Sequence, residues 1–153
     1  MARSEMNSTA TYDDVNLILR LYDMRREDKL REARAWFLSN FHASSVEEVM
    51  QKFPPASDEG RMTRMVVTYW EMVASFLTSG VLNQELFFQT GREMLFVWTR
   101  VKHLAPAMRE AFKDPTMYRN LEMACKSYTD YLNQQGPDLV TTFESRVLGS
   151  PAR

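Results

Sequence analysis

The chain has 153 residues, 44% hydrophobic and 25% charged, with a net charge of −1; this is the make-up of one ordinary globular domain long enough to bury a core. The near-neutral balance offers no basic surface to a nucleic-acid backbone, and a single cysteine excludes an intramolecular disulfide framework and suits a reducing compartment. No apolar run approaches the ~20 residues of a membrane span, and Met1 to Thr11 lacks a signal peptide's apolar segment, so a cytoplasmic protein is expected.

Isoleucine occurs once, at Ile18, Leu, Met and Ala abound, and Gly and Pro are few, a bias toward helix over sheet. Residues 1–10 read as a flexible tail, 11–136 as one helical domain and 137–153 as an amphipathic segment and tail. The expected fold is an all-α, single-domain bundle of five to seven helices.

In chain order, Thr11 and Asp14 form a capping box with Asp in the usual Glu position, opening a helix to about Arg26. That helix is expected to bury Val15, Ile18, Leu19 and Tyr22, and to break near Asp28, where the apolar face changes direction. A second helix runs to Phe41. Ser45 to Glu48 is a capping box for a short helix over Val46 to Phe53, which Pro54 and Pro55 end, leaving Ala56 to Gly60 as a loop.

The stretch from Met62 to Ser79 is the most strongly patterned. Met62, Met65, Val66, Tyr69, Trp70, Val73, Phe76 and Leu77 share one arc, and Val67, Met72 and Ala74 widen it to roughly 220°, against about 100° for a surface helix. Such a helix touches partners on two sides and belongs at the centre. Gly80 closes it, and Asn83 caps a short helix through Gln89.

The next helix carries Met94, Leu95, Val97, Trp98, Val101 and Leu104, and Pro106 kinks or restarts it. Asp114–Pro115 starts another from Thr116 to Asn133, with Leu121, Ala124, Cys125, Tyr128 and Leu132 on one face. After Gly136–Pro137, Leu139, Val140, Phe143 and Val147 recur at helical spacing. This 138–148 segment is expected to dock on the body, or to form a homodimer or protein-partner contact.

Arg34 is the most unusual residue. It lies on an apolar arc beside Leu30, Phe37, Leu38 and Phe41, where a permanent charge needs a carboxylate or several carbonyls. Arg34 and Glu71 are the candidate ligand-binding or ion-pair residues: an interhelical ion pair is expected, with Glu71 as first partner and Glu93 as second, and the alternatives are an anion-binding role for Arg34 and a solvated or interhelical carboxylate for Glu71. His42 and His103 lack any ligand spacing and read as exposed and idle. Cys125 reads as a small core residue, not a nucleophile. No phosphate loop, dinucleotide fingerprint or metal-ligand set is present, and the helix after Gly80 has no Arg or Lys for DNA. No catalytic residue, metal or cofactor is assigned.

The stretch Tyr69 to Leu86, with its aromatic–acidic pair, apolar run, Gly80 and following helix, resembles a widespread group of uncharacterised bacterial all-helical proteins. Phe96-Val97-Trp98 and the upstream Glu32 to Phe37 fit the same pattern, over roughly residues 15–132. Asn83 stands where that group tends to carry an acidic residue. The resemblance implies an all-helical domain of unknown function and carries over no catalytic residue. The leading expectation is a non-enzymatic interaction or regulatory module; the alternative is a binder of a small apolar or anionic ligand using the Met/aromatic core and Arg34, and an enzyme comes third. Neither nucleic acid nor membrane is expected as a partner.

Overall fold

The computed structural model describes residues 9–149. The N-terminal tail up to residue 8 and the last four residues lie outside the described residues. The helices are α1 (Tyr12–Arg25), α2 (Asp28–Asn40), α3 (Val46–Lys52), α4 (Asp58–Thr78), α5 (Gln84–Phe88), α6 (Arg92–Val101), a 3-10 turn (Lys102–Leu104), α7 (Ala105–Ala111), α8 (Arg119–Gln135) and α9 (Leu139–Leu148). There is no strand among the described residues, and the fold is all-α. The helices beyond the expected five to seven are short pieces, one of them made where Pro106 restarts the chain after the 3-10 turn.

Helix α4 is the centre. It packs most extensively against α8 and α2 and also meets α6. Its wide arc explains why: Val66, Val67, Tyr69, Trp70, Val73, Ala74 and Leu77 are all buried, leaving only a narrow solvent strip. The helix begins earlier than Met62, because the Ser57 hydroxyl accepts from the Gly60 amide at 3.0 Å and winds Asp58 to Arg61 into the first turn. Gly60 permits this: a Cβ there would lie 2.0 Å from the Pro54 carbonyl oxygen. The helix ends at Gly80, whose φ of 84° is left-handed.

The break between α1 and α2 falls at Arg26–Glu27, where the Glu27 carboxylate takes over as cap and accepts from the Leu30 amide at 3.0 Å. The orientation of α1 differs from the sequence expectation. Val15, Leu19 and Tyr22 are exposed and Ile18 is half-buried, while Leu21 and Asp14 face inward. Asp14 decides this. Besides closing the cap with the Thr11 amide at 2.7 Å, its carboxylate accepts from the Asn83 amide at 2.8 Å, pinning α1 to the turn between α4 and α5.

Helix α8 also starts later than expected. Asp114 caps only a turn, accepting from the Thr116 amide at 2.9 Å, and the chain passes through left-handed Tyr118 (φ 62°) before the helix begins at Arg119. The last helix, α9, lies on α6 and α8, burying Phe143 and Val147 and half-burying Leu139 and Val140.

Candidate functional site

Arg34 sits on α2 where it faces α1 and α6. Its Nε donates to Glu93 at 2.6 Å and its Nη2 to the other Glu93 oxygen at 2.7 Å, a two-pronged pair with about a fifth of each side chain or less left open. Its Nη1 donates to the Arg25 carbonyl at 3.0 Å, at the last turn of α1. The hydrogen bond to Glu93 outweighs burial and holds the guanidinium pKa above its ordinary value. The partner is therefore Glu93 and not Glu71, the first choice from sequence.

Glu71 is half-buried on α4 and caps α8 from across the core. One carboxylate oxygen accepts from the Asn120 amide at 3.1 Å and its side-chain amide at 2.8 Å; the other accepts from the Leu121 amide at 2.9 Å. Tyr118, in the N-cap position, offers no capping oxygen, so a carboxylate from α4 supplies what the local sequence lacks. The structure thus separates Arg34 and Glu71 into two unrelated tasks.

Arg100, which the sequence reading did not single out, is only 2% exposed. Its guanidinium donates to the carbonyls of Phe41 (2.8 Å), Val147 (3.1 Å) and Leu38 (3.2 Å) and stacks 4.7 Å from the Phe96 ring centre. These carbonyls belong to the C-terminal ends of α2 and α9, where the helix dipoles are negative, so two helix ends compensate the charge. A signal was present: Phe96, Val97 and Leu104 flank position 100 at i−4, i−3 and i+4.

The remaining reactive groups are engaged or enclosed. Cys125 is 1% exposed, and burial pushes its thiol pKa far up. His103 Nε2 lies 2.6 Å from the Ala43 carbonyl. His42 is not the idle exposed ring expected: its Nε2 is buried without a hydrogen-bond partner, and burial, then Arg100 and Lys52, lowers its pKa. The described residues contain no group of three or more His, Cys, Asp or Glu placed to hold a metal ion.

Among the described residues, two surface hollows stand out. The first, about 490 Å³, lies between α3, α4, α7 and the loop before α8; its walls include Val49, Phe53, Val67, Met108, Phe112 and Met117, with Arg64, Glu71, Asp114 and Tyr118 among the polar groups. The second, about 340 Å³, runs between α1, the middle of α4 and the turn before α6, and is lined by Ile18, Leu19, Tyr22, Arg25, Tyr69, Trp70 and Phe87. Arg34 lines neither. In the second, Arg25 lies 5.2 Å from the Tyr22 ring centre and 5.4 Å from that of Trp70. The Trp70 indole nitrogen is buried without a partner, while the Tyr69 hydroxyl donates to the Leu21 carbonyl at 2.6 Å and is pushed up to about 12 by burial.

A family model described as Domain of unknown function (DUF4760) matches residues 10–128. The chain belongs to this family. No curated protein and no solved structure is significantly similar to it. The match spans this DUF4760 domain from α1 into α8, so it includes the Asp14 tether, the Arg34–Glu93 pair, the Glu71 cap and both hollows, while α9 lies beyond it. The domain's charged core residues are arranged to hold helices: Arg34 joins α1, α2 and α6, Glu71 joins α4 to α8, and Arg100 joins α2, α6 and α9. Among the described residues no helix is long and apolar enough to cross a membrane.

Proposed function

We propose that the domain is a non-enzymatic helical interaction module that works as a homodimer through α1, in the cytoplasm of a bacterial cell. The observation that carries this reading is the outward face of α1. Tyr12 (79% exposed), Val15 (40%), Leu19 (56%) and Tyr22 (49%) form one apolar stripe along its length. Leu19 and Tyr22 also line the 340 Å³ hollow, so stripe and groove are one continuous surface.

A second copy fits this surface. Two α1 helices crossing antiparallel at Leu19 set the acidic first turn of one, with Asp13, beside the basic end of the other, with Arg25 and Arg26, and oppose their dipoles favourably. Tyr12 of each copy then falls near Arg26 of the other, a cation–π pairing of the kind Arg26 already makes with Tyr22. The single free, buried cysteine suits the cytoplasmic setting.

Analytical ultracentrifugation across a concentration series tests it. A concentration-dependent dimer is expected, and Leu19→Glu should give a monomer with unchanged helix content. A wild-type chain that stays monomeric at several hundred micromolar, or a Leu19→Glu dimer as tight as the wild type, defeats the proposal.

A further inference from the structure

The 490 Å³ cleft shares no residue with the α1 surface and has the size and apolar lining of a small-molecule site, about 300–1,000 Å³. Its floor is built by the buried side chains of Val49, Val67 and Met108 from three helices. Its rim carries three charges, and they differ in how they are used. Glu71 is engaged through both oxygens by the α8 amides, whereas Asp114 accepts from the amide and hydroxyl of Thr116 through Oδ1 alone. Arg64, by contrast, has no side-chain polar partner among the described residues, and neither does the Tyr118 hydroxyl. The exposed Arg64 guanidinium and the Tyr118 hydroxyl thus bring donors to the cleft that no protein group engages among the described residues. Among the described residues Tyr118 is also one of two non-glycine residues held at positive φ, a backbone strain that recurs at ligand clamps.

We infer that this cleft binds a small molecule with an apolar body and one carboxylate, the apolar part between Phe53, Val67, Met108 and Met117 and the carboxylate on Arg64 and Tyr118. The planar guanidinium matches a carboxylate with two parallel bonds. A monoanion fits better than a dianion such as a phosphate ester, because the two engaged carboxylates on the same rim repel additional negative charge.

Isothermal titration of the full chain with decanoate, 1-decanol and decylamine, each below its aggregation concentration, tests this. Decanoate should bind at one site, decanol about tenfold more weakly for want of the charge-assisted bonds, and decylamine more weakly still. Arg64→Met should bring decanoate down to the decanol level and leave decanol unchanged. Thr68→Trp, an exposed position on the cleft wall, should block both without altering helix content; Met50→Trp serves as a second blocking variant should Thr68→Trp fail to fold. Decanol binding as tightly as decanoate, an Arg64→Met variant that keeps full decanoate affinity, or no saturable binding of decanoate overturns the inference. None of these measurements depends on the oligomeric state.

Discussion

At the scale of single residues, the two inward arginines show different ways of tolerating a fixed charge. Arg34 has a carboxylate in ideal fork geometry, and Arg100 has helix-end carbonyls and an aromatic face. The difference predicts different mutational behaviour. Removing Arg34 strands the Glu93 carboxylate among half-buried surroundings, so Arg34→Met should cost about 3 kcal/mol, the low end for breaking such a pair. Glu93→Leu should cost a similar amount, and the double variant less than the sum, because neither charge is then left alone. Urea denaturation of the four proteins gives the coupling directly; single losses that simply add would show that the two groups are independently solvated. Arg25→Met is the control, since the Arg25 side chain covers Tyr22 and Trp70 while only its carbonyl serves Arg34.

At the scale of elements, the 3.6-residue period made the helices legible, and their docking was not. Helix α4 could be placed at the centre because its apolar arc is too wide for any surface position. Helix α1 carries two competing arcs, Val15–Leu19–Tyr22 and Leu17–Leu21, and periodicity alone does not choose between them; the buried Asp14 contact with Asn83 does, and it spans distant sequence. The same limit hid the role of Glu71. Asp114–Pro115 looks like a helix start, yet the helix begins at Arg119 because the capping carboxylate comes from another element. Hence Glu71→Ala should cost about 2–3 kcal/mol, the worth of hydrogen bonds to a charged acceptor. Glu71→Gln, which keeps one acceptor but loses the charge–dipole attraction, should cost about 1 kcal/mol. Amide hydrogen exchange should localise the effect to the first turn of α8; equal acceleration throughout the chain would show that Glu71 merely fills space.

At the scale of the whole molecule, the family match and the fold do not end together. The match stops at residue 128, inside α8, whereas α9 covers α6 and returns to close the arginine site. Phe143 is 6% exposed and Val147 is 2%; each buried side chain of this kind contributes about 1.5–3 kcal/mol. The Val147 carbonyl is also one of the three acceptors on Arg100, so losing α9 would open one side of a buried cation as well as an apolar face. The Lys102–Glu144 pair, partly exposed on both sides, adds little. Truncation after Gly136 should therefore lower stability by about 3–5 kcal/mol in urea denaturation while leaving the Asp14 tether of α1 and the Glu71 cap in place. Arg100→Leu in the full-length chain should cost less than the truncation, and combining the two should recover part of the loss, because the stranded guanidinium is then gone. An unchanged denaturation midpoint after truncation would mean that α9 rests on the domain without supporting it, and that α2 and Phe96 alone hold the Arg100 charge.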